Sequence, residues 1–175
     1  FVEGARALGL YVRTLLDDAG ESGGVPRALI GSLLTPVVKA FFSDRSFETA
    51  NDAMQLMGGH GYIRENGVEQ LVRDCRIFQL YEGANGVQAL DLASRKLQSG
   101  GGMALAALLG LYEADAAAAE RHDALRGPAT AVRQACLEVG AAAAWLSSAE
   151  RDPYDVGGGS YDFLNMLGIL SLAAM

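Results

Sequence analysis

Two cysteines in 175 residues, with no Cys-x-x-Cys and no Cys/His cluster, offer neither a disulfide framework nor a set of metal ligands. Cys75 and Cys136 read as buried thiols, and their scarcity fits a reducing compartment, with the cytoplasm as default. Positive charge is also short: 14 Lys and Arg stand against 21 Asp and Glu, for a net charge of -7. That balance supplies no basic field for phosphate backbones and argues against nucleic acid as a partner. The only histidines, His60 and His122, lie far apart and suggest no metal site; His60 reads as a turn residue. No uninterrupted apolar run reaches the roughly eighteen residues of a membrane helix, and no charged and hydrophobic leader opens the chain. Strand-like alternation and internal repeats are absent too, which points to an all-α protein.

Half of the residues are hydrophobic, enough to bury a core in a chain of this length. Val2, Ala5, Leu8, Tyr11, Val12, Leu15 and Leu16 recur at i, i+3, i+4, predicting a helix that stops near Asp18 and Gly20. Glu21 to Gly24 reads as a loop. A short helix from Pro26 to about Leu34 is expected next, with a restart at Thr35 as N-cap and Pro36 in the first turn. The following helix runs to Met57 and ends at Gly58-Gly59, where glycine supplies φ freedom. Val68 to Val72 reads as a helical turn, Arg73 to Tyr81 as either helix or extended chain, and Asn85 to Leu97 as helix.

Gly100-Gly101-Gly102 reads as a boundary between residues 1–99 and an alanine-rich second domain, 100–175. Within the latter, helices are expected over 103–126 and 129–151, with Gly127-Pro128 as a break. A loop through Gly157-Gly158-Gly159 then leads to a third helix near Tyr161. Both glycine triplets read as hinges, lacking the Lys-Ser/Thr of a phosphate loop. Trp145 and the tyrosines at 11, 112, 154 and 161 read as core or helix-packing residues. The opening on Phe1-Val2-Glu3, without methionine or cap, and the end on Ala174-Met175 suggest a piece of a longer protein.

The chemistry is concentrated in Gln55-Leu56-Met57-Gly58-Gly59-His60-Gly61-Tyr62, then Arg73-Asp74, then Tyr81-Glu82-Gly83-Ala84-Asn85. A helix ending in two glycines frees backbone amides for an anionic ligand, and one glutamate sits between an aromatic residue and a glycine. This pattern resembles the C-terminal domain of acyl-CoA dehydrogenases, whose segment reads Gln-x-x-Gly-Gly-x-Gly-Tyr/Phe, then Arg-Asp, then Tyr-Glu-Gly-Thr. The string Gly-Gly-His-Gly-Tyr-Ile-Arg-Glu, with Asn85 to Leu92 and Arg95-Lys96, looks most like the 3-methylmercaptopropionyl-CoA dehydrogenase-like branch, whose members carry an added C-terminal helical domain. The implied fold is an up-down helical bundle lacking its first helix, plus that extra domain.

The resemblance implies α,β-dehydrogenation of an acyl-CoA to a trans-2-enoyl-CoA with FAD as cofactor. Glu82 matches the family's base, because an α-C–H beside a thioester is a weak acid and needs a carboxylate within reach. By the same carry-over the Glu82 N–H would help hold the thioester oxygen and Gly83 would admit the acyl chain. Gln55, Gly58, Gly59, Ala84, Asn85 and Gly86 match positions near the flavin. Ala84 departs from the family's usual threonine, and Asn66-Gly67 from its usual pair. Arg73-Asp74 reads as a structural ion pair or a helix-orienting contact. The resemblance further implies a homodimer or homotetramer and an electron-transfer flavoprotein as acceptor. The chain alone, lacking the middle β-domain, is expected to be inactive and to lose FAD. A helical oligomerisation or interaction domain without catalysis, and an oxidase-type flavoenzyme, are the rival readings.

Overall fold

A computed structural model describes residues 1–148 and 150–175. Helix α1 (Val2–Asp17) buries Leu8, Val12 and Leu15 of the stripe that the spacing predicted, leaves Val2 and Leu16 at its ends exposed, and packs along α2. Glu21 to Gly24, expected to be a loop, and Pro26, expected to open a helix, instead fold into a small antiparallel hairpin, β1 (Glu21–Ser22) and β2 (Val25–Pro26), with Ser22 opposite Val25. Gly23 (φ 58°) and Gly24 (φ 75°) supply the left-handed two-residue turn that matches strand twist. Asp18 anchors the corner: Oδ1 accepts from the Gly20 N–H, and Oδ2 pairs with Arg27.

The central element is α2 (Arg27–Met57), a single helix of 31 residues that runs through Pro36. The expected break at Thr35 does not occur, and Thr35 is not an N-cap: its hydroxyl donates back to the Gly31 carbonyl at 2.9 Å. Pro36 removes one helix donor, but it is buried together with Leu33, Leu34 and Val37, and this tertiary burial outweighs the local cost. Gly58 (φ 58°) then caps the helix as expected. Next come α3 (Gly59–Tyr62), a 3₁₀ turn at Arg64–Asn66, and α4 (Val68–Phe78), which makes one helix of the stretch read as a turn plus an ambiguous segment. Helix α5 (Asn85–Asp91) continues into a π turn, Leu92–Lys96.

Beyond the glycine triplet at 100–102, all at positive φ, lie α6 (Met103–Ala119), α7 (Arg126–Leu146) and α8 (Pro153–Ala173). Two expectations fail here. Gly127-Pro128 lies in the first turn of α7, where a proline's missing N–H costs nothing, and the break falls earlier, before the 3₁₀ turn Asp123–Leu125. Gly157 to Gly159 is helix interior and not a hinge, because Asp152 starts α8 upstream by accepting from the Asp155 N–H at 2.8 Å. Helix α8 packs on α1, α2, α5 and α7, so Phe163, Leu164, Leu167 and Leu170 join Leu8, Ile30, Val37 and Phe41 in one buried cluster.

The fold is all-α in character, 82% helical. Tyr112 is buried as expected, whereas Tyr154 is 88% exposed and Trp145 lies at the surface under the Arg151 guanidinium, 4.7 Å from its ring centre. Cys136 is buried, but Cys75 only partly so. The segment Ser99–Ala119 is, against the reading of the sequence, long and apolar enough by composition to cross a membrane; one side of it packs on α7 and α2 through Ala104, Leu105, Leu108 and Tyr112.

Candidate active site

The turn between α4 and α5 carries Glu82, the only non-glycine residue at positive φ (54°) among those described. A side chain in that region costs on the order of 1–3 kcal/mol and persists only where its surroundings impose it. Those surroundings are visible in the main chain. The Glu82 carbonyl accepts from Gln88 Nε2 at 2.8 Å, the Gly83 carbonyl accepts from Lys39 Nζ at 2.6 Å, and the Asn85 N–H closes the turn on the Gln79 carbonyl at 3.1 Å. Gly83 has φ 84°, and a Cβ there would come within 2.9 Å of Gln88 Nε2. The loop is thus held by its backbone. Among the described residues the Glu82 carboxylate makes no hydrogen bond or ion pair, and the Glu82 N–H has no acceptor.

Beneath this turn lies a polar cluster. Asn85, buried, donates from Nδ2 to the Ala40 carbonyl, Ser43 Oγ and Asp44 Oδ1, and accepts from Lys39 Nζ at 2.7 Å. Gln79 Nε2 donates to the same Asp44 Oδ1 at 2.7 Å, and the Tyr161 hydroxyl donates to Asp44 Oδ2 at 2.5 Å. Burial lowers the Lys39 pKa, opposed by the negative charges of Asp44 and Glu82. Tyr161 is pushed up to about 12, by burial first and then by its bond to the Asp44 carboxylate. Lys39, Ser43 and Asp44 were not singled out from the sequence, and Tyr161 was read only as a core or helix-packing residue. The available signal was polar residues at 39, 43 and 44 within an apolar stretch of helix.

The other expected site residues fall at the surface. Gln55, Gly58 and Gly59 are exposed at the α2–α3 junction, and Ala84 and Gly86 are exposed at the start of α5. No heavy atom lies within 4 Å of where a Cβ would stand at Gly58, Gly59 or Gly86. Nothing in the chain's own packing therefore requires glycine at 59 or 86, and the open space fits a bulky ligand approaching the backbone. Gly61 differs: a Cβ there would meet the Met54 carbonyl at 2.7 Å, so this glycine serves helix packing. The Asn85 side chain is spent inside the chain. Arg73 pairs with Glu69, at 2.8 and 3.2 Å, and not with the adjacent Asp74.

The family model described as acyl-CoA dehydrogenase, C-terminal domain, matches residues 2–97. The chain belongs to the acyl-CoA dehydrogenase family. It is 36% identical over 97% of its length to the 3-methylmercaptopropionyl-CoA dehydrogenase of Ruegeria pomeroyi. It is 34% identical, again over 97%, to the broad-specificity linear acyl-CoA dehydrogenase FadE5 of Mycobacterium tuberculosis. The chain spans about 30% of the length of each of these relatives. A solved structure titled "Bd2924 apo-form" superposes with a TM-score of 0.72 over 97% of this chain and 30% of its own, at 19% identity, a likeness of fold. Both of the near-full-length matches extend through the alanine-rich helices, so for an acyl-CoA dehydrogenase of this kind α6 to α8 are shared with relatives.

Proposed function

We propose that this chain is the C-terminal part of an FAD-dependent acyl-CoA dehydrogenase, with Glu82 as the base that removes the α-proton. One observation carries the reading: the main chain of Glu82 is pinned in a strained conformation while its carboxylate and N–H are left without partners. That carboxylate is exposed and open to a ligand. Here the free carboxylate accepts the α-proton of the thioester, and the unpaired N–H donates to the thioester oxygen as negative charge develops there. Gly83 keeps the approach to the backbone clear. Lys39, held against the Gly83 carbonyl, places positive charge near the loop.

FAD, when bound, supplies the acceptor for the β-hydride, so that loss of H⁺ and H⁻ leaves a trans-2-enoyl thioester. Gly58, Gly59, Ala84 and Gly86, open at the surface, would lie against it, with Gln55 beside the first pair and Asn85 contributing backbone only. The remaining contacts, and the dry surroundings that raise a carboxylate's proton affinity, would come from the rest of a longer protein; the chain alone is inactive and loses FAD on this reading. An electron-transfer flavoprotein would reoxidise the flavin, and assembly would be homodimeric or homotetrameric. Free Cys75 and Cys136 suit a reducing cytoplasm.

Anaerobic titration of the longer protein, reconstituted with FAD, against a panel of acyl-CoAs tests this. Bleaching of the flavin band by wild type but not by Glu82→Gln is expected; a bound flavin that no thioester bleaches sinks the reading. A second reading, a helical interaction domain, is favoured by the exposure of Leu56, Tyr62, Ile63 and Leu71 on neighbouring surfaces of α2 to α4. Rapid reoxidation of the reduced protein by oxygen would instead mark an oxidase.

A further inference from the structure

We infer that Asp44 and Tyr161 are positioning residues through which the last helix, α8, holds the Glu82 turn in place. The geometry converges on one carboxylate. Asp44 Oδ1 takes both ends of the 79–85 turn, Gln79 Nε2 and Asn85 Nδ2, each at 2.7 Å, while Oδ2 takes the Tyr161 hydroxyl from α8. A turn clamped at both ends onto a rigid helix has few alternatives to the conformation that places Glu82 at φ 54°. Lys39, one helical turn before Ser43, adds the third point by bonding both the Gly83 carbonyl and Asn85 Oδ1.

The arrangement is more than cement for α2. Of the side chains donating to Asp44, Gln79 and Asn85 bracket Glu82 within six residues, and Tyr161 comes from 117 residues away along the chain. Ser43 and Asn85 are buried polar side chains, and each finds partners within the cluster. A satisfied buried network of this kind specifies one geometry, because every alternative strands a polar group. The alanine-rich helices, which carry no chemical motif, acquire a part in the reaction through a single hydroxyl.

The tether is read from this chain's own contacts, whereas its catalytic meaning rests on the proposed role of Glu82. Amide hydrogen exchange on the 175-residue chain compares wild type with Tyr161→Phe, and with Tyr154→Phe as a control on the exposed face of the same helix. Losing one hydrogen bond to a charged acceptor is expected to speed exchange in residues 79–85 about tenfold, with α6 and α7 unchanged and Tyr154→Phe silent. Unaltered exchange in 79–85, or uniform acceleration in every helix, overturns the tether. In the longer protein with FAD, Tyr161→Phe and Asp44→Asn are expected to slow flavin reduction about tenfold with acyl-CoA Kd unmoved. Wild-type rates in both variants overturn the link to catalysis. If no thioester reduces the wild-type flavin, the reading of Glu82 falls, and the exchange comparison alone decides the tether.

Discussion

Glycine does three different jobs within the four residues 58–61. At 58 it ends α2 at a positive φ, at 61 it lets α3 press on the Met54 carbonyl, and at 59 it meets nothing in the chain. Gly61→Ala is therefore expected to cost about 1–3 kcal/mol, as overpacking does, while Gly59→Ala leaves the urea midpoint within a few tenths of a molar of wild type. If both lower it equally, the distinction fails. Ala84 is the N-cap of α5 and has no side chain to offer its first turn. Ala84→Thr supplies a capping hydroxyl and is expected to stabilise the chain by about 1 kcal/mol, read as a higher urea midpoint. The helix end at Gly58 was legible in the sequence because turn chemistry is local, and Glu82 was marked out by its motif. The partners of Lys39, Asp44 and Tyr161 were not legible, since a polar residue in an apolar helix declares its partner only once distant segments meet.

At the scale of elements, burial and capping decided where helices begin and end. Pro36 was read as a restart because proline removes a donor, yet its burial beside Leu33 and Val37 keeps α2 continuous. Gly157 to Gly159 was read as a hinge because glycine is a weak helix former, yet the Asp152 cap sets the start of α8 five residues earlier. Asp152→Ala is expected to cost about 1 kcal/mol and to loosen the first turn of α8; a calorimetric melting point equal to wild type would contradict the capping role. Helices α2 and α8 pack tightly at Gly168, where a Cβ would stand 2.7 Å from the Phe41 ring. Gly168→Ala should force the two apart and lower stability by about 1–3 kcal/mol.

Across the whole molecule, the stretch after the glycine triplet and the stretch before it share one buried cluster. Phe163, Leu164, Leu167 and Leu170 of α8 are each worth about 1.5–3 kcal/mol of burial. Their sum rivals the roughly 5–15 kcal/mol that holds a typical domain together. A chain stopped at residue 148 is expected to bind a hydrophobic dye and to lose cooperative melting; a sharp melt would show that 1–148 stands alone. Alkali should act through the same helix. Tyr161 holds its proton to about 12 when folded and to the ordinary tyrosine value of 10.0 when unfolded. Stability is thus complete below pH 10 and falls between 10 and 12, as the unfolded chain ionises first. Tyr161→Phe should flatten that alkaline limb in pH-dependent denaturation curves.

The closeness of α8 to α1, where a Cβ on Gly4 would stand 3.1 Å from a Leu172 methyl, has a bearing on how the protein is made. Helices emerge from the ribosome in order, and the apolar faces of α1 and α2 must wait for more than a hundred residues before the segment that covers them is translated. The nascent chain therefore passes through a long interval in which the face of its central helix that α8 covers is formed but bare, and that interval is when chaperones would engage it.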